Sequence, residues 1–115
     1  MPEKSLEEKL RQLDRYLDKE KYLLLTMAQL KKDFILSGLD FDYHEAPENL
    51  YAFLQEQITL MLDNNIEALR NLLYRIDVNV ENIFKNPSSN IVEKIVQEII
   101  KRSLQKVIIR EHYRE

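Results

Sequence analysis

The stretch Ile91-Val92-Glu93-Lys94-Ile95-Val96-Gln97-Glu98-Ile99-Ile100-Lys101-Arg102 decides the fold class. Two apolar residues are followed by two polar ones, three times over. A half-buried strand would alternate singly, whereas pairs at this spacing return to one face of a helix. The isoleucines and valines favour strands by propensity, but the period outweighs them. Asn90 stands three residues before Glu93, where an N-cap and an N3 carboxylate belong. Leu104, Val107 and Ile108 extend the pattern, with Ser103 among them, and a helix is predicted over 90–112. Its apolar arc covers about half of the helical circumference, more than the ~100° that one neighbour covers.

Upstream, Asn86-Pro87-Ser88-Ser89-Asn90 is a stop-and-restart signal. Before it, Leu50, Leu54, Ile58, Met61, Leu62, Leu69, Leu72, Leu73 and Ile76 share one helical face, and Val80, Ile83 and Phe84 continue the phase. Pro47 suits the first helical position, because its missing N–H costs nothing there. A second helix is therefore predicted over 47–85. Asp77 and Asn79 are good caps, so a break at 77–79, giving a fourth helix, is the alternative. The first helix is predicted over 5–37. Leu6, Leu10, Leu13 and Leu17 form a seam, and Leu24, Ala28 and Ile35 keep its phase, widened by Met27 and Phe34. Ser5 and Glu8 form a capping box at its start, and Gly38, the only glycine, stands where a helix end takes a left-handed residue.

These segments predict an all-α domain spanning 1–115, an elongated antiparallel bundle of three long helices. One glycine and three prolines exclude the hairpin turns of an all-β chain and any glycine-rich phosphate loop. With no cysteine there is no disulfide framework and no thiolate chemistry. Helices of ~50 Å exceed the ~13 Å radius of gyration of a globule this size. That mismatch and the wide arc of the last helix lead us to expect a homodimer, with Ile95, Ile99, Ile100, Leu104, Val107 and Ile108 at its interface.

The net charge of −3 is unevenly spread. Residues 1–37 carry eight Lys/Arg against seven Asp/Glu, residues 91–115 six against four, and the middle three against nine. Positive ends flanking a negative centre do not make the dominant basic face of a nucleic-acid binder. The basic residues of the last helix alternate with Glu93, Glu98 and Glu111, so nucleic-acid association through them is the alternative reading. The longest apolar-leaning stretch, Tyr22 to Ala28, is far too short to span a membrane. The N-terminus lacks a basic-then-apolar export signal, and a cytoplasmic location is expected.

Candidate sites are few. Neither His44 nor His112 has a glutamate three residues upstream, as a di-iron bundle requires, and no metal or other cofactor is expected. His44 lies beside Asp40, Asp42 and Glu45, which read either as a polar connection or as a weak acid–base or cation site. Tyr74, Arg75 and Asp77 read as an ordinary helix end, or as a polar cleft in which the arginine fork meets an anion. Asn65 falls within the arc of Leu54, Ile58, Leu62 and Leu69, and is expected to be a buried amide that fixes register.

Asn71-Leu72-Leu73-Tyr74-Arg75-Ile76-Asp77-Val78 and Lys101-Arg102-Ser103-Leu104-Gln105-Lys106-Val107 resemble stretches of small, uncharacterised all-helical bacterial proteins. The resemblance covers about a seventh of the chain and implies a helical cytoplasmic protein, with no activity, cofactor or site. The function expected from the sequence is that of a non-enzymatic protein–protein interaction or scaffold module with an unidentified protein partner.

Overall fold

The computed structural model describes residues 4–43, 49–85 and 90–114. Among these residues there are seven helices and no strand: α1 (Leu6–Arg11), α2 (Leu13–Leu17), α3 (Glu20–Leu36), α4 (Leu50–Asn64), α5 (Ile66–Ile76), α6 (Val80–Lys85) and α7 (Ile91–Arg114). The protein is all-α, as the period of 91–102 predicts. The long rods expected before α7 are broken instead into shorter pieces, within overall extents of 50 × 32 × 23 Å.

Each break has a local cause. Gln12, between α1 and α2, leaves helical geometry at φ −112°, ψ 36°. Lys19 is extended at φ −88°, ψ 127°, and its carbonyl accepts from Leu23 N to begin α3. Asn65 lies at φ −156°, ψ 69°, and its side-chain Oδ1 accepts from the Ala68 amide at 3.2 Å, so it caps α5. The helix expected over 47–85 is therefore split at Asn65 and again at 77–79. Asn65 is exposed rather than buried, because a cap sits outside the register of the helix before it.

The predicted start and stop devices at the ends of α1 and α3 are present. Ser5 Oγ accepts from the Glu8 amide at 3.2 Å. Gly38 takes φ 79°, and the Leu39 and Gly38 amides donate to the carbonyls of Phe34 and Ile35, a Schellman motif. Asp77 closes α5 in the same way at φ 72°, with Val78 N donating to the Leu73 carbonyl at 2.9 Å. The proposed Pro47 start and the 86–89 stop lie outside the described residues.

α7 is about 36 Å long, and each of the other six helices touches it. Ile95, Val96 and Ile99 enter the main core with Leu30 and Phe34 of α3, Leu54 and Ile58 of α4 and Leu69, Leu72 and Leu73 of α5. Leu104 and Ile108 enter a second cluster with Tyr16, which Leu6, Leu10, Leu13, Leu17 and Tyr22 cover. The wide arc thus finds its partners within one chain. Of the six expected interface residues, Ile95, Ile99, Leu104, Val107 and Ile108 are buried and Ile100 is half-buried. A dimer built on them would have to open the core, losing roughly 1.5–3 kcal/mol for each side chain re-exposed.

The breaks at Gln12 and Lys19 reset the phase of the first segment. Leu24, Ala28 and Ile35, expected in the core, point outward, while Thr26, Gln29 and Asp33 of α3 are buried alongside Leu30 and Phe34. No helix among the described residues is long and apolar enough to cross a membrane.

The cap at Asn65 is testable. Asn65→Ala should lower stability by about 1 kcal/mol in urea melts, with Asn65→Asp close to wild type. A rise in stability for Asn65→Leu would contradict the cap and restore a buried amide.

Candidate functional site

Where α3 lies along α7, polar groups meet inside the protein. Gln29 Nε2 donates to Asp33 Oδ2 at 3.2 Å, and Arg110 Nη1 donates to Gln29 Oε1 at 2.9 Å. Lys106 Nζ stands 3.6 Å from Asp33 Oδ2 and donates to the Arg75 carbonyl at 3.2 Å. Arg102 Nη2 donates to Asp77 Oδ2 at 3.1 Å. Buried Thr26 and Ser103 lie on these two helices, and their hydroxyls have no hydrogen-bond partner among the described residues. A carboxylate this deep is tolerable only when a cation and donors face it. The network therefore fixes which side of α3 turns inward. It also engages Arg102, Lys106 and Arg110, while Arg114 pairs with Glu111. These four cations are paired within the chain, while Lys94 and Lys101 are exposed.

Among the described residues no acid–base or metal constellation forms. Among the described residues no group of three or more His, Cys, Asp or Glu could hold a metal ion. His44 lies outside the described residues. His112 Nδ1 faces Lys9 Nζ at 3.2 Å, and since an ammonium only donates, Nδ1 is the accepting nitrogen. A groove of about 510 Å³ runs between α2, α4 and α7, with Leu13, Leu17, Tyr51, Ile100 and Leu104 among its lining residues. Desolvation and the nearby Glu93 carboxylate raise the Tyr51 phenol above its ordinary value, against a hydrogen bond with Gln55 that lowers it. The phenol stays protonated at neutral pH and is no base.

The other feature is the outer side of α3 and the end of α5. Leu24 is 47% exposed, Ile35 55% and Leu36 52%. Ala28, Lys31 and Lys32 are exposed with them. Next to Leu36 opens a cleft of about 440 Å³, lined by Leu36, Ser37, Asn71, Tyr74 and Arg75, in which Tyr74 is 87% exposed. The structure thus brings two of the sequence candidates, Tyr74 and Arg75, to one cleft. The third, Asp77, is exposed and held by Arg102 at the left-handed end of α5.

The sequence reading missed Gln29, Asp33, Lys106 and Arg110, and it placed Leu24 and Ile35 on the wrong side. One signal was present: Thr26, Gln29 and Asp33 recur at spacings of three and four, a polar stripe along one side of the helix.

With this geometry in hand, comparison of the chain with protein-family models, with curated proteins and with solved structures returns no match.

The buried network predicts an asymmetry between lysines. Lys106→Met leaves the Asp33 carboxylate without its cation and should destabilise by at least about 1–3 kcal/mol, whereas exposed Lys101→Met should stay within about 0.5 kcal/mol of wild type. Equal effects in denaturant melts would show that Asp33 needs no partner.

Proposed function

We propose that the protein is a non-enzymatic binding module that docks another protein on the outer face of α3 and the adjoining end of α5. One observation carries this reading: Leu24, Ala28 and Ile35 lie on one side of a 17-residue helix, are exposed, and belong to neither hydrophobic cluster of the described residues. Apolar residues scattered singly over a surface need no explanation, but a run along one helical face, continued by Leu36 and Tyr74, marks an interaction surface. The reading is that of an interaction module, as expected from the sequence, with a different surface in use. A nucleic-acid role using the last helix has less support, because Arg102, Lys106 and Arg110 are engaged within the chain.

A photo-crosslinking residue placed at Ile35, and in a control protein at exposed Glu56 on α4, tests this in the cells that make the protein. The Ile35 probe should give a discrete adduct with one protein identified by mass spectrometry, and the control should not. Leu24→Lys should abolish the adduct without moving the melting temperature. No adduct, or the same adducts from both positions, would overturn the reading.

A further inference from the structure

We infer that the occupant of this face is an acidic amphipathic helix of another protein, which lays apolar residues along Leu24, Ala28 and Ile35 and sends a carboxylate into the Ser37–Asn71–Arg75 cleft. The inference rests on the docking role proposed above and adds the chemistry of the partner.

The first ground is shape. Residues 24, 28 and 35 span three helical turns, about 16 Å, the length over which a partner helix presents anchors at i, i+4, i+7 and i+11. The second is charge. Lys31 and Lys32 are exposed and have no carboxylate partner among the described residues; the same holds for the Arg75 guanidinium across the cleft. Asp33, the carboxylate nearest to them in sequence, is buried against Lys106 on the opposite side of α3. Lys21 is engaged with Glu111 at 4.0 Å, and Glu20 stands at the far end of the helix. The C-terminal half of the face is therefore apolar and positive.

The third ground is the cleft. Ser37 Oγ is buried beneath the cleft and has no hydrogen-bond partner among the described residues. Asn71 and Arg75, both exposed, line the cleft with Ser37, so an amide and a guanidinium border it. A carboxylate accepts from both, and with arginine the pairing is charge-assisted. The carbonyls of the two helix ends at this cleft do not hold the arginine back. Phe34, Ile35, Leu73 and Tyr74 carbonyls accept from the Schellman amides, and the Arg75 carbonyl accepts from Lys106. Lys32 and Leu36, one turn apart, connect the apolar ridge to the cleft. A phosphate backbone would meet the cations and leave the ridge uncovered, which favours a peptide over nucleic acid. The outer side of α4 in a second copy carries Glu56, Leu60 and Asp63, so self-association is the competing outcome.

The test uses the full chain, isotope-labelled for NMR, and three synthetic helical peptides of about five turns. One has a leucine seam flanked by glutamates, one has lysines in place of the glutamates, and one is a scramble of the first. A single-stranded oligothymidine is titrated in parallel, and sedimentation velocity is run over a range of chain concentrations. The glutamate peptide should shift the amides of residues 24, 28, 35, 36, 71 and 75 and bind at least tenfold more tightly than the lysine peptide. Lys32→Glu with Arg75→Glu should reverse that preference while leaving the melt unchanged. If both peptides bind this face equally, the acidic partner is wrong and the docking face stands. If the oligonucleotide binds there and no peptide does, both fall. Self-association abolished by Lys31→Glu/Lys32→Glu and restored by adding Glu56→Lys/Asp63→Lys would make a second copy the occupant and overturn the inference.

Discussion

The rest of the structure depends on the apolar arc of α7. A helix whose buried side covers half of its circumference cannot be satisfied by one neighbour, so the chain must surround it. It does so with six shorter helices, all of which reach α7. The main core takes the N-terminal half of the arc and the Tyr16 cluster takes the C-terminal half, with α7 as the wall common to both. The many breaks in the chain follow from this geometry. Uninterrupted rods would run past a central helix of this length, whereas pieces of five to seventeen residues can change direction around it.

The polar seam between α3 and α7 then determines the surface. Turning Gln29 and Asp33 inward, against Arg110 and Lys106, places Leu24, Ala28 and Ile35 on the outside. The opposite rotation of α3 would bury Leu24, Ala28 and Ile35 and hydrate Thr26, Gln29 and Asp33, but it would expose Leu30 and Phe34, which lie fully inside the main core. A chain that keeps three polar residues in and three apolar residues out departs from local consistency, and such departures gather where a protein works. The seam and the exposed apolar ridge are in this sense one feature seen from two sides. The same seam engages Lys106 and Arg110 of α7, while Lys31, Lys32 and Arg75 beside the ridge have no carboxylate partner among the described residues.

How much was legible in the sequence follows from these two constraints. The paired period of 91–102 gave the class directly, because periodicity reports burial whatever the β-branched content. Ser5 and Gly38 were legible because their caps depend only on neighbours in sequence. The break at 77–79 stood as an alternative because Asp77 and Asn79 are good caps, and Asp77 takes the left-handed conformation there. Gln12, Lys19 and Asn65 were not legible as breaks, since none is glycine or proline and each is tolerated within a helix. Carrying the helical phase through them put Asn65 in the core and Leu24 and Ile35 beside it. Tyr74 and Arg75 were legible as a polar pair at one helix end, but the Ser37 and Asn71 that complete their cleft come together only in three dimensions. The width of the α7 arc was read correctly. What covers it could not be read from the sequence, because a wide arc looks the same whether its neighbours come from one chain or from two.

The central claim is that one chain buries α7 by itself. Amide hydrogen exchange, followed from micromolar to near-millimolar protein alongside the mass by light scattering, tests it most directly. The amides of residues 95–108 should exchange only through global unfolding, at a rate independent of concentration and with a monomer mass throughout. Rapid exchange of this segment in dilute solution, with protection and a dimer mass appearing together as the concentration rises, would contradict it.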